Sequence, residues 1–348
     1  DGVTATALLY TYLDSAGADV YYKLPSRDDD GYGLSETAVD LMAAKGVSLI
    51  VTVDNGVSAN AAIAHAKEQG VDVVVTDHHL PPQTLPEAAA IVNPQLPGDE
   101  SPCKTLSGAG VAFKLAAALD GCTPDEMLPF YGDLAAIGTI ADIMLLEGEN
   151  RRIVKAGLAL LQQTERPGIA ALIETCGLGG KELTAENVSF GLAPRLNAAG
   201  RMDSAAAALE LLLCEDPEEA EAIVAGLEAQ NAARQKAEQD ILQGVLDSVA
   251  ADETYGADRI LVVWGRGYHQ GVIGIVASRV VERFGKPAII VSVDENGEGK
   301  GSGRSIAGVS LYNAIAACGD LLIRFGGHAL AAGLSVREEN LPAFRKAV

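Results

Sequence analysis

The 348-residue sequence predicts an α/β fold: a doubly wound parallel-sheet domain, a long helical connector and a smaller α/β domain. Three observations carry this. Short Val/Ile-rich runs alternate with helical segments through the first 150 residues, the pattern of a parallel sheet covered on both faces. A long Ala/Glu/Gln-rich stretch with helical spacing, with Pro217 near its start, fills 203–254. A second strand–helix alternation then begins. The expected domains are therefore 1–202, 203–254 and 255–348, and the chain is long enough for two separate cores.

The elements follow in order. Ala18–Leu24, Val47–Val53, Val71–Thr76 and Ala89–Val92 read as strands. Helices are expected from Thr4 to Gly17, Ser35 to Gly46 and Ser58 to Gly70, with Ser35 and Ser58 as N-caps and the glycines as stops. Residues 107–175 read as mostly helical. In the last third, Arg259–Val263 and Pro287–Val293 read as strands, Val272–Phe284 and Ser310–Ala317 as helices, and Gly299–Ser305 as a flexible glycine-rich loop.

Composition narrows the class. No apolar run reaches the ~18 residues that span a bilayer, and the N-terminus lacks the pattern of a secretory signal, so no membrane partner is expected. Five cysteines (Cys103, Cys122, Cys176, Cys214 and Cys318) are scattered without a CxxC pair and read as reduced thiols of a cytoplasmic protein. The net charge of −21 opposes generic binding to nucleic acid. Its distribution softens that objection. Residues 255–348 carry a net +3 and the remainder −24, with 13 acids against Arg234 and Lys236 within 203–254. That acid run reads as a solvated helix face.

The chemistry-bearing residues cluster at strand ends. Val47–Val53 delivers Asp54-Asn55-Gly56, and Val71–Thr76 delivers Asp77-His78-His79. Ligands of doubly wound sheets bind beyond the carboxyl ends of the strands, so Asp54 and the histidine pair are expected in one crevice, with Asp1 able to join them. Carboxylates with imidazoles suit Mn²⁺, Fe²⁺ or Zn²⁺, and Mg²⁺ where carboxylates dominate. Such a cluster can hold two ions roughly 4 Å apart for in-line phosphoryl displacement. In the last third, the loop at Gly299–Ser305 offers hydroxyl, amide and guanidinium donors, and Gly326-Gly327-His328 can form a backbone concavity for an oxyanion. His269 opens a helix, as a cap or facing a cleft. His65 reads as solvated, and Trp264 as packing.

Nine blocks occur in a fixed order: DGVTATALL, VTVDNG, VTDHH, GAGVAFKL, GTIADIMLL, PRLNAAGRM, HQGVIGIVASRV, GKGSGRSIAG and FGGHALAAGL. Together they resemble the RecJ-type single-strand-specific exonucleases of the DHH phosphoesterase superfamily, with a DHH domain followed by a DHH-associated domain. The resemblance implies a 5′→3′ DNA exonuclease of repair and recombination that releases 5′-mononucleotides with two divalent ions, Mn²⁺ first and Mg²⁺ as the alternative. It implies single-stranded DNA as substrate, and a helicase and a single-strand-binding protein as companions. Asp1 resembles the last acid of an Asp-x-Asp-x-Asp-Gly metal motif, and Asp54, His78 and Asp142 the other ligands. His79 would ligate or support the second ion, and Asp77 would orient a histidine. His328 would stabilise the charge of the transition state beside Gly326 and Gly327. Ser302 and Arg304, with Arg27 opposite, would hold the 5′ end, and Arg195 and Arg201 would grip phosphates near the scissile bond. Against the resembling pattern, the upstream acids and a C-terminal oligonucleotide-binding barrel are missing, so the sequence reads as a fragment. The alternatives are a related phosphodiesterase acting on short oligonucleotides or cyclic dinucleotides, and an inactive nucleic-acid-binding subunit.

Overall fold

The computed structural model describes residues 1–25 and 33–348; Arg27 lies outside them. The chain forms two compact units, Asp1–Ala229 and Gln230–Val348.

The first unit opens with α1 (Gly2–Ser15), α2 (Glu36–Ala44), β1 (Leu49–Val53), α3 (Asn60–Glu68), β2 (Asp72–Thr76) and β3 (Ala90–Val92). The strands form a parallel sheet in the order β1-β2-β3. Leu49 pairs with Asp72 and Val53 with Thr76, so β1 and β2 end at the same level. Asp54 and Asp77 therefore leave adjacent strands side by side. Ser35 caps α2 by accepting the Ala38 amide, as its position predicts. Ser58 does not cap α3: a turn closed by the Ala59 amide on the Gly56 carbonyl delays the helix to Asn60. The strand expected at Ala18–Leu24 is absent. Tyr21, Tyr22 and Lys23 are exposed, and a β-rich run without a partner strand to pack against does not become a strand.

A helical layer follows: α4 (Gly108–Asp120), α5 (Pro124–Ala141), α6 (Gly148–Leu161), α7 (Pro167–Thr175), α8 (Ala185–Asn187), a π-turn over Val188–Leu192, α9 (Ala193–Met202), α10 (Ala206–Leu213) and α11 (Pro217–Ala251). Ser107 caps α4, and Thr123 with Glu126 forms a capping box on α5. Leu8 of α1, Phe113 of α4, Leu134 and Ile137 of α5, and Leu209 and Leu211 of α10 are fully buried in one core. A Cβ on Gly138 of α5 would lie 2.4 Å from Thr4 Oγ1 and 2.5 Å from Ala109 Cβ, so glycine lets α1, α4 and α5 converge at that point.

The long helical connector expected within 203–254 is present as α11, which joins the two units. Within the same span, α10 belongs to the first core, and Ala220, Val224 and Leu227 of α11 join it. The unit boundary falls inside this 35-residue helix.

The second unit continues from α11 into β4 (Leu261–Arg266), α12 (Gln270–Phe284), β5 (Ala288–Val293), β6 (Glu298–Arg304), α13 (Leu311–Ala316), β7 (Leu322–Gly327), β8 (Ala331–Arg337) and α14 (Leu341–Ala347). The sheet order is β4-β5-β6-β8-β7, parallel at β4–β5 and antiparallel elsewhere. Here the expected flexible loop at Gly299–Ser305 is corrected: residues through Arg304 form strand β6, paired on both edges. Gly299, Gly301 and Gly303 face Val291, Leu334, Leu311 and Ile289, where a Cβ would clash. The glycines thus serve close packing, not mobility. The hairpin β7–β8 has no strong periodicity in the sequence. Trp264 packs against the core of this unit.

Candidate metal centre

Asp54 follows β1 in the left-handed conformation, φ 61°. The turn is pinned by Thr52 Oγ1 donating to the Asn55 carbonyl (2.7 Å) and Asn55 Nδ2 donating to the Val53 carbonyl (2.8 Å). Gly56 is required in it: φ is 109°, and a Cβ would lie 2.5 Å from Thr52 Oγ1. Asp77 follows β2 and is buried. Its Oδ2 accepts the Val57 amide at 3.0 Å, tying the two strand ends together. Its Oδ1 accepts the His78 and His79 amides and His79 Nδ1, at 2.8, 3.1 and 2.7 Å. With Nδ1–H so engaged, His79 keeps its lone pair on Nε2.

Asp1 comes from the start of α1. Its carboxylate sits on the N-terminus of α4, Oδ2 accepting the Gly108 amide at 2.6 Å and Oδ1 the Ala109 amide at 2.8 Å. The helix dipole favours an anion there. Asp142 is the residue at the C-terminal end of α5. The four elements bring these groups around one imidazole. His78 Nε2 lies 3.0 Å from Asp54 Oδ1, 3.6 Å from Asp142 Oδ2 and 3.7 Å from Asp1 Oδ2. The His78 and Asp1 side chains are only 8% and 4% exposed. Glycines make the room: a Cβ on Gly108 would lie 2.5 Å from Asp54 Cβ, and one on Gly138 would lie 2.9 Å from Asp1 Oδ1.

Two overlapping sets of ligand atoms result, Asp54–His78–His79 and Asp1–His78–Asp142, each with its atoms within 4.8 Å of one another. Their chemistry fits a hard to borderline divalent cation. One detail sharpens the fit. Asp54 Oδ1 and His78 Nε2 are buried and face each other at 3.0 Å, yet neither makes a hydrogen bond. Buried polar atoms are normally paired, and three carboxylates converging on one imidazole leave an excess of negative charge.

The electrostatics agree in direction. Burial opposes charge on His78, but Asp54, Asp142 and Asp77 together hold its pKa above the ordinary 6.5. The Asp77 bond raises His79 against the effect of burial. Asp77 is itself lowered: burial pushes it up, but the His79 bond and the backbone amides outweigh that. Burial and the neighbouring Asp54 raise Asp142.

A second left-handed residue adjoins the centre. Ile143, directly after Asp142, has φ 58°; it and Asp54 are the only non-glycine residues at positive φ among the described residues. For a β-branched residue this costs about 1–2 kcal/mol. Sequence reasoning missed Ile143; the signal was a β-branched residue at a helix C-terminal stop, where glycine is usual.

The other residues singled out from sequence lie elsewhere. Arg195 and Arg201 are on α9. Arg195 Nε donates to the Glu228 carboxylate of α11, and its Nη1 to the Gly191 carbonyl at 2.9 Å. In the second unit, Ser302 and Arg304 share one face of β6 against α12, where a Cβ on Gly274 would lie 2.9 Å from Ser302 Oγ and 3.1 Å from Arg304 Nη2. Arg304 Nη1 donates to Ser302 Oγ (3.2 Å) and to the Gly303 carbonyl (2.8 Å). Gly326 and Gly327 end β7, and the His328 amide is engaged by the Ala331 carbonyl at 2.7 Å, closing the hairpin. His269 caps α12, its Nδ1 accepting the Gly271 amide. His65 is not simply solvated: Nε2 contacts Asp40 Oδ1 at 2.7 Å.

Comparison with known proteins agrees with this architecture. The model of the DHH family, N-terminal domain, matches residues 1–139, and that of the DHHA1 domain matches 257–348. The chain is 45% identical over 347 residues to the single-stranded-DNA-specific exonuclease RecJ of Bacillus subtilis, covering 99% of this chain and 43% of that protein. A crystal structure of an exonuclease RecJ bound to manganese superimposes with a TM-score of 0.85 at 39% identity, covering 99% of this chain and 85% of that one. RecJ from Thermus thermophilus in complex with Mn²⁺ gives the same TM-score of 0.85 at 37% identity, with 99% of this chain and 49% of that one covered. The chain spans 43% to 63% of the length of the RecJ proteins of Bacillus, Salmonella, Dickeya and Escherichia. On these matches, and on the ordered DHH and DHHA1 pair, the chain belongs to the RecJ-type branch of the DHH family.

Proposed function

We propose that this chain is the catalytic portion of a single-strand-specific 5′→3′ DNA exonuclease that releases 5′-mononucleotides by phosphodiester hydrolysis. The observation that carries the reading is the buried, unbonded pair of Asp54 Oδ1 and His78 Nε2 amid the carboxylates of Asp1 and Asp142. The relatives named above supply the substrate class.

Asp1, Asp54, His78, His79 and Asp142 would hold two divalent ions, Mn²⁺ by preference and Mg²⁺ as the alternative. When bound, such ions polarise the phosphorus and lower the pKa of coordinated water. The protein's part is to prepare the ligands. Asp77 fixes the His79 ring so that Nε2 is available as an acceptor. The α4 amides orient the Asp1 carboxylate. The glycine shell keeps Asp54 and Asp1 from being displaced.

In the second unit, Ser302 and Arg304 would hold the terminal phosphate, with Arg27 as a further donor. Gly326, Gly327 and His328 would approach an oxyanion, His328 through its imidazole because its amide is already bonded. Arg201 would contact the strand backbone. Arg195 does so only by exchanging Glu228 for phosphate, a trade of one charge-assisted partner for another. A helicase and a single-strand-binding protein would act beside it.

The test is release of nucleotides from 5′-phosphorylated strands with Mn²⁺, by this chain carried in the full-length protein. Mononucleotides should appear from the 5′ end of single strands, with duplex of the same sequence at least about tenfold slower. Release from the 3′ end, or equal rates on duplex, would overturn the reading.

A further inference from the structure

We infer that Ile143 is the apolar rest for the nucleobase beside the scissile phosphate. The inference rests on the exonuclease reading above, and it goes beyond the metal ligands to the surface that receives the nucleotide.

Two independent observations point to it. The first is conformational. Ile143 ends α5 in the left-handed region, with its amide bonded to the Ile140 carbonyl and the Met144 amide to the Thr139 carbonyl. That is the helix-ending pattern in which glycine is usual. The second is exposure. The Ile143 side chain is 86% exposed, so no packing offsets the strained backbone. A lone exposed apolar residue is ordinary, and so is a strained residue that is packed in place. An exposed, β-branched and strained residue is neither.

Its position gives the occupant. Ile143 directly follows Asp142, whose Oδ2 is 3.6 Å from His78 Nε2. Leu80, directly after His79, is also exposed. Two exposed apolar residues thus each lie one position along the chain from a candidate ligand of the metal centre. A nucleotide whose phosphate is held at that centre has one apolar surface to offer, the face of its base. Contact with a ring face is sequence-tolerant, as an enzyme that degrades any strand requires.

The test is a binding cycle that needs no turnover. Dissociation constants are measured with Ca²⁺ in place of Mn²⁺, so that the acidic centre carries a cation while turnover is suppressed, for 5′-phosphorylated single strands with a 3′ fluorophore: intact, abasic at the first nucleotide, and abasic at the second. The proteins are the wild type, Ile143→Gly, Ile143→Asn and Ile143→Val. In the wild type, one abasic position should weaken binding roughly threefold to tenfold. Ile143→Val, still apolar, should keep that penalty. Ile143→Gly and Ile143→Asn should abolish it, while the unfolding midpoint of Ile143→Gly rises by about 2 °C as the strain is relieved. An equal penalty in wild type and Ile143→Gly, or none in either, would overturn the inference, including the case in which Ile143 meets a protein partner instead. Mn²⁺-dependent release, assayed on the same proteins, reports separately on the exonuclease reading.

Discussion

Glycines make room for neighbouring side chains in both units, yet to opposite ends. Around His78, the glycines at 108 and 138 clear space for the Asp54 and Asp1 carboxylates; Asp1 is held by the α4 amides, while Asp54 Oδ1 faces His78 Nε2 without a hydrogen bond. On β6, the glycines at 299, 301 and 303 clear space for Val291, Leu334 and Leu311, and the polar side chains between them lie together on the opposite face. The first arrangement gathers buried charge that a bound cation would offset. The second is a finished strand that displays donors. The difference shows that glycine content alone says nothing about mobility or function; what the missing Cβ would have struck does.

The sharpest break of this contrast is His78→Ala. Removing the shared ligand of both candidate metal sets should lower Mn²⁺-dependent turnover by at least about 100-fold, beyond the roughly 10–100-fold typical of losing a supporting residue. Circular dichroism should report a retained fold. Near-normal turnover in this variant would remove the metal assignment.

A paired substitution comes next. Gly108→Ala forces a Cβ to 2.5 Å from Asp54 Cβ and should weaken Mn²⁺ binding by roughly 10–100-fold, read by calorimetry. Gly303→Ala forces one to 2.5 Å from Leu311 Cδ2 and should cost about 1–3 kcal/mol of stability while leaving Mn²⁺ affinity unchanged. If both variants lost metal equally, the two glycine sets would not differ as argued.

The smallest expected effect is in pH. His78 and His79 both titrate above the ordinary 6.5 in the metal-free chain, so protons compete with a cation near neutrality. Mn²⁺ affinity should fall as pH drops through these raised values, and binding above them should release fewer protons. Calorimetry in buffers of different ionisation enthalpy measures the protons released. A pH-independent affinity between about pH 6 and 8 would exclude both histidines as ligands.

Much of this was legible in the sequence. Val47–Val53 and Val71–Thr76 are near-continuous apolar runs with sharp ends, so the strands, and with them Asp54 and His78, could be placed side by side. Asp142 could not be placed that way, because an acid closing a helix has no periodic signal; only the resemblance pointed to it. Ala18–Leu24 misled because strand propensity is realised only against a neighbour. β6 was misread because Gly-x-Gly-x-Gly looks like a turn until the partners that fill its vacant side are known. The Glu228 partner of Arg195 lies 33 positions away on another helix, beyond any local pattern.

The Asp1 carboxylate bears on how the molecule comes into being. Its bonds to Gly108 and Ala109 close loops of 107 and 108 residues, and the approach of Asp142 to His78 closes another long one. Contacts so distant along the chain cost entropy before they reward it, and they tend to form late in folding. The cluster of ligands therefore has no partial version: a nascent chain whose α4 and α5 have not yet docked on α1 holds the acids and histidines far apart. The candidate metal centre thus comes together only with the completed first unit.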